Sequence, residues 1–505
     1  MSRPSTCIRR SIGVMAILFC LGLSTVDGLA QTKEKVASAE LTEMIVQLRS
    51  ELTETRQRLA VAEQRIARLE NSSAEEQGEA DASPHTKESY PSAVDQPHQM
   101  TADSDYSDGG TFSLLRSQVA EQQQTKVEST SKYRVKLSGF ILMNAYSNRG
   151  AADHPDLANR AFRDGPGSVG ATLRQSIFGA QVIGPTLAGG RSSANISIDL
   201  AGGFPQRPYG TTMGILRLRQ ASGRIDWETT SLMFGQETPI ISPLSPTTFA
   251  TIAEPGFSWA GNLWVWTPQV IGEKRIRTSD SSYFSISGGL AAPTTEDIPS
   301  SSQFVGPNAA ELSRRPAFEL TAGWHGTRYG QPMVVGLGGF SGRQRYSFGR
   351  SADAWAGTAY WDLPLFKFLS WSGEAYRGQA TGGLGGAVWQ SVAYDGDPDA
   401  QSTNMKPLNS IGGWSQVKVK VHPKLEFNVA GGQDNVLAYD LRWAPQLTSE
   451  YSSLFARNRV GFVNAVYRPK SNLLLSVEYR KLWTWRYTGA GNSADQVNVG
   501  AGVSF

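Results

Sequence analysis

The chain has 505 residues, with 48 Lys+Arg against 45 Asp+Glu, a near balance that excludes a partner selected by net charge alone. Its two cysteines, Cys7 and Cys20, lie within the first 20 residues, which excludes a disulfide framework, a thiolate metal site and thiol catalysis in the chain beyond them. Glycine is abundant at 52 residues and aromatics make up 10%, the composition of a turn-rich all-β chain. Charge divides by region: 14 basic and 19 acidic residues fall in 1–132, and 34 basic and 26 acidic in 133–505.

Residues 1–30 read as an export signal. Arg9 and Arg10 precede an apolar run over 12–23, and Gly28 and Ala30 offer a cut before Gln31. The run is about 12 apolar residues, too short for the roughly 30 Å hydrocarbon layer, which takes about 20. Bulky Phe19 before Cys20 argues against a lipoprotein cut. No later stretch approaches a helical span. The rest is therefore either an exported soluble protein or a membrane β-barrel, whose strands hydropathy hardly shows.

Residues 31–70 are expected to form a periplasmic coiled coil. Leu41, Ile45, Leu48, Leu52, Thr55, Leu59, Ala62, Ile66 and Leu69 recur at alternating steps of four and three, with Glu, Arg and Gln between them. At 1.5 Å per residue this is a rod of about 43 Å. The pattern leaves dimer or trimer open. Residues 71–132, rich in Ser, Glu, Asp, Gln and Thr, read as a flexible polar linker.

From Tyr133 the period changes to two. In "VKVKVHPKLEFNVA", Val417, Val419 and Val421 alternate with Lys418 and Lys420. A turn at 422–424 follows, and Leu425, Phe427 and Val429 then alternate with Glu426 and Asn428. "GFVNAVYRPKSNLLLSVEYR" repeats the plan with a turn at 468–472, and "ANISIDLAGG" alternates likewise. Tight turns alternating with long Gly/Pro/Ser loops predict an antiparallel transmembrane β-barrel of about 16 strands over 133–505. Trp264, Trp266, Trp483, Trp485 and Tyr487 fit aromatic girdles. The chain ends "QVNVGAGVSF", an alternating strand suited to closing the barrel, since lipid tolerates no open edge. Its terminal Phe505 is similar to the outer-membrane assembly signal.

Catalytic and metal motifs are sparse. Five histidines (His85, His98, His154, His325 and His422) lack metal-ligand spacing, and no G-x-S-x-G elbow is present. The reading is therefore of a non-enzyme with no cofactor, no metal and no nucleic-acid partner. Basic pairs at spacing two are the recurring feature: Arg217 and Arg219, Arg275 and Arg277, Arg343 and Arg345, Lys418 and Lys420, and Arg457 and Arg459. Arg at mid-depth on a lipid face costs about 2–4 kcal/mol, so these pairs are expected at the lumen or the rim, where they attract anions. The alternative is a solvated wall balanced by acids. The segment 239–262, "PIISPLSPTTFATIAEPGFSWAGN", is too apolar for a solvated loop and is expected to fold inward, with Glu254 opposing the arginines across a constriction.

Taken together, "LRLRQASGRIDW" at 216–227, "MFGQETPIISPLSP" at 233–246, "WVWTPQV" at 264–270 and "GGWSQVKVKVHPKLEFNVAGGQDN" at 412–435 make the chain resemble the DcaP-like outer-membrane porins. That resemblance implies a homotrimer in the bacterial outer membrane, inserted by the barrel assembly machinery, and passive uptake of small anionic solutes such as dicarboxylates, with Arg217 and Arg219 as pore arginines. Two alternatives stand beside it. One is a sugar- or phosphate-selective porin; the other is a structural anchor whose coiled coil binds peptidoglycan or a partner.

Overall fold

A computed structural model describes residues 134–162, 165–203, 214–295, 306–443, 454–487, 489 and 491–505. The signal, the coiled-coil seam and the linker lie outside the described residues. Sixteen strands form one closed antiparallel barrel. They are β1 (Arg134–Arg149), β2 (Ser168–Thr172 and Ile177–Leu187), β3 (Gly190–Asp199), β4 (Arg217–Asp226), β5 (Thr230–Glu237), β6 (Thr267–Ser279), β7 (Ser282–Ala291) and β8 (Ala317–Arg328). The second half comprises β9 (Gln331–Arg345), β10 (Ser351–Phe366), β11 (Leu369–Gln379), β12 (Asn409–His422), β13 (Leu425–Val436), β14 (Phe455–Lys470), β15 (Leu473–Arg486) and β16 (Asn492–Ser504). Both pieces of β2 pair with β1, so the interrupted strand counts once.

Closure is made by β1 against β16, in register from Phe140 opposite Ser504 to Arg149 opposite Asp495. Phe505 extends this edge. Its N–H and C=O bond reciprocally to Gly139, and its ring lies where a Cβ on Gly139 would stand, 2.2 Å away. Glycine at 139 is thus the seat of the terminal aromatic.

Each strand pair is joined at one rim by a turn of two or three residues and at the other by a loop. Ala188 with Gly189, and Tyr329 with Gly330, all have positive φ. This is the primed-turn geometry that matches strand twist. The alternation is inverted relative to a soluble protein. Val429, Val463, Val477 and Val499 face outward and are exposed, while Asn144, Asn428, Asn458, Gln496 and Asn498 face inward and are buried. An apolar exterior around a polar interior suits lipid outside the wall.

Candidate functional site: the barrel lumen

The segment between β5 and β6, residues 238–266, lies against the inner wall. Wall side chains reach its backbone. Glu319 Oε2 accepts from Ile240 N at 2.8 Å, Glu374 Oε1 from Leu244 N at 2.7 Å, and Gln416 Oε1 from Thr247 N at 2.7 Å. Gln175, in the interruption of β2, accepts from Ile252 N at 2.7 Å and donates to Ala250 O at 2.8 Å. Arg480 on β15 is 1% exposed and donates to Thr248 and Thr251 Oγ1, each at 3.1 Å, and to Glu478 Oε1 at 2.9 Å.

Apolar packing completes the dock. Phe249 and Ile252 meet Phe140, Leu142, Ile177, Val466 and Leu474. Phe257 stacks on Phe462 at 5.0 Å, and Ala260 joins it against Val460 and Leu482. The inward faces of β12 to β16 and β1 therefore carry an apolar patch that the segment covers.

Arg217 and Arg219 both point inward, as alternation requires, but a bulge breaks the period. Ile198 pairs Leu218 and Ser197 pairs Gln220, so Arg219 is the extra residue and Gln220 also turns inward. Neither guanidinium stands bare in the lumen. Arg217 bonds Asp199 at 2.7 Å and Ala253 O at 2.5 Å; Arg219 bonds Asp199 at 3.0 Å and Ile252 O at 2.9 Å. Both lie over the Trp266 ring, at 4.9 and 4.6 Å. The pair clamps the inward segment to the wall. Trp266 is correspondingly an inner contact rather than a girdle residue, and Trp264 N bonds Leu384 O in the neighbouring loop.

Glu254 is half-buried and accepts from Asn159 Nδ2 at 2.6 Å, on the loop after β1. Burial pushes its carboxyl up to about 7; Asp153 adds to the rise, and Arg217 and Arg160 oppose it. It therefore stands within the charge field of Arg217 rather than across an opening from it, because the arginine is bonded to the carbonyl of the preceding residue.

The other basic pairs separate by parity. Arg275 and Arg277 on β6, and Lys418 and Lys420 on β12, face inward near the short-turn rim. Acids stand beside them: Glu273 near Arg275 at 3.8 Å, and Glu426 paired opposite Lys420. Arg343, Arg345, Arg457 and Arg459 point to the outer face at the long-loop rim.

On the β2–β10 side the lumen stays open, as a cavity reaching the start of the inward segment at Thr238 and Ile240. Its wall carries hydroxyls and amides, from Asn195, Ser222, Ser231, Ser285, Ser287 and Thr321, interleaved with apolar Met233, Ile240 and Ile271. Arg224 reaches Asp226 at 2.8 Å and Glu273 at 3.2 Å, while Glu237 accepts from Gln220 at 2.7 Å and Ser222 at 2.6 Å. Sequence reasoning passed over this wall because isolated Ser and Gln in strands carry no motif. The signal it leaves is the small polar residue repeated at period two in β3, β4 and β7.

The closed 16-strand barrel has counterparts among solved structures. The outer membrane channel DcaP of Acinetobacter baumannii superposes with a TM-score of 0.58 at 17% identity, covering 75% of this chain and 100% of that one. The chain has the fold of an outer-membrane porin. Also similar are an anion-selective porin from Comamonas acidovorans (TM-score 0.46, 12% identity, 74% of this chain and 100% of that one) and OprB of Pseudomonas putida (0.43, 10%, 74% and 94%). No protein-family model and no curated protein matches the sequence.

Proposed function

We propose that this porin-fold chain is an outer-membrane diffusion channel of the DcaP-like kind. It passes small hydrophilic solutes, with a lean toward anions such as dicarboxylates, through a lumen narrowed by segment 238–266. The observation that carries the reading is the asymmetry of the interior. Loop packs on the apolar half, and the half that carries the hydroxyl and amide groups is left open. Passive permeation needs no energy-coupling part, and the protein is read as having no catalytic role.

The lean toward anions rests on Arg275, Arg277, Lys418 and Lys420 on the inner face near the short-turn rim, where low-dielectric walls focus their field on passing solute. Arg217 and Arg219 act in this scheme by holding the narrowing segment, and Glu254 sets the charge beside it. The protein is read as a homotrimer with its N-terminal region in the periplasm, and Phe505 as the residue that the assembly machinery engages.

The test is planar-bilayer conductance of the extracted protein, with reversal potential under a KCl gradient. Stepwise currents in groups of three with an anion-side reversal are expected. Stable insertion without conductance overturns the channel and leaves a structural anchor.

A further inference from the structure

The outer wall of β13 to β16 and β1 is apolar over most of its height, then changes abruptly. Val429, Val463, Tyr479 and Val497 stand side by side in one cross-strand row. Two residues further toward the long loops the row holds Lys481, Asp495 and Arg149; the next holds Arg459, and the last Arg457. Four cations thus share one carboxylate, and Asp495 is already engaged by Lys481 at 3.1 Å and the Tyr479 hydroxyl at 2.5 Å.

The arginines are partnered by neutral groups. Arg459 donates through Nε and Nη2 to Gln433 Oε1 at 2.8 and 2.6 Å, and Arg457 through Nε to Asn435 Oδ1 at 2.6 Å. Both lie over Trp485, at 5.9 and 5.6 Å, and Lys481 lies over Trp483 at 5.6 Å. Among the described residues no carboxylate reaches either guanidinium, so each keeps donors aimed outward. Amide oxygens and indole faces orient the cations without neutralising them, the arrangement that favours bidentate phosphate binding.

Below Arg459 a shallow groove opens on the exterior between Trp361 and Trp483. Its floor includes Gly413, Gly431 and Gly461. A Cβ on Gly431 would meet nothing within 4 Å, and one on Gly461 only Ala430 O at 3.7 Å. At Gly431 and Gly461 the floor is therefore open toward the apolar surroundings, while at Gly413 a Cβ would lie 2.7 Å from Glu374 O, and the cations cap the end of the groove.

We propose that this surface binds a phosphorylated lipid of the surrounding leaflet, with phosphate held by Arg457, Arg459, Lys481 and Arg149 and an acyl chain lying in the glycine-floored groove. A lipid fits better than a second copy of the chain because one molecule supplies both the anion and the apolar chain at the height where the apolar rows end. Headgroup phosphates lie at that boundary, and each basic residue near them adds binding. The site rests on the membrane placement of the barrel and not on conduction, so a non-conducting barrel that binds lipid would leave it standing.

The test is native mass spectrometry of the full-length protein in detergent titrated with lipid A, a bis-phosphorylated glycolipid, and with its monophosphoryl form. The double variant Arg457→Gln with Arg459→Gln is expected to retain lipid A about tenfold less tightly. The unchanged protein should bind the monophosphoryl form more weakly than lipid A. An unaltered unfolding temperature of the double variant in detergent shows that it is folded. Equal retention by variant and parent, or indifference to the number of phosphates, overturns the proposal. So does efficient disulfide cross-linking of an Arg459→Cys variant to its own kind in membranes, which would place a second copy on this face.

Discussion

The two halves of the barrel interior are built from antiparallel strands with the same alternation, yet they hold different things. Along β12 to β16 and β1 the inward positions include Trp414, Val460, Phe462, Leu482, Phe140 and Leu142, and segment 238–266 packs on them. Along β3 to β8 the inward positions include Ser193, Asn195, Ser222, Ser231, Ser285, Ser287 and Thr321 beside Met233 and Ile271, and the cavity stays open. An apolar patch inside a water-filled barrel is unfavourable unless covered, at roughly 25 cal/mol per Å² of apolar surface. The patch therefore selects the wall against which the long segment settles, and the open cavity is what remains.

The largest effect should come from the ion pair that joins this packed half together. Arg480 is buried with Glu478 and holds Thr248, Thr251 and Ala158 O. Arg480→Met leaves a buried carboxylate without its cation, a change worth about 3–5 kcal/mol. A clearly lower unfolding temperature together with larger, noisier channel currents is expected; quiet parental currents would show that the segment does not depend on this pair. Phe257→Ala, which removes the ring stacked on Phe462, should cost about 3–5 kcal/mol and act in the same direction.

Two adjacent glycines sharpen the comparison between inner and outer faces. A Cβ on Gly432 would lie 2.4 Å from Ala260 O and 2.8 Å from the Phe257 ring, whereas one on Gly431 meets nothing. Gly432→Val should displace the segment at a cost of about 1–3 kcal/mol and raise conductance. Gly431→Val should stay within about 0.5 kcal/mol of the parent, with unchanged current. Equal effects at both positions would contradict the docking of the segment on the wall.

The basic residues divide in the same way. Lys418→Gln with Lys420→Gln should move the reversal potential toward cation preference at unchanged thermal stability. Arg217→Ala with Arg219→Ala should chiefly lower stability and loosen the segment, because Asp199 already neutralises part of that charge. If the Arg217 and Arg219 variant alone shifts selectivity, the clamp reading fails.

The smallest effect is expected with pH. The Glu254 carboxyl is raised from 4.5 to about 7, so the folded state holds a proton that the unfolded chain has lost. Its contribution to stability is fully present below about 4.5 and disappears as pH rises through 7. Between pH 5 and pH 8 the unfolding temperature should fall slightly, and anion preference should weaken as the carboxylate appears. Glu254→Gln should flatten both trends between the same two pH values.

Period-two alternation, tight turns and the alternating C-terminal strand were enough to read from the sequence an antiparallel barrel of about 16 strands. Backbone polarity leaves a chain in lipid no other way to satisfy strand hydrogen bonds. The apolar, proline-rich composition of 239–262 likewise marked a loop unsuited to solvent, and alternation set Arg217, Arg275 and Lys418 on the inner face. Tertiary structure alone decided what those residues meet. The bulge at Arg219 breaks parity and turns Gln220 inward as well, while Asp199 and loop carbonyls take up both arginines. Trp266 turns inward beneath them, Glu254 is drawn to Asn159, and the hydroxyl wall on β3 to β8 becomes the open side. Alternation fixes the face of a strand because neighbouring residues point opposite ways. Which inward residue touches which depends on closure of the ring and on where the long segment finds apolar surface, and both join residues more than two hundred positions apart.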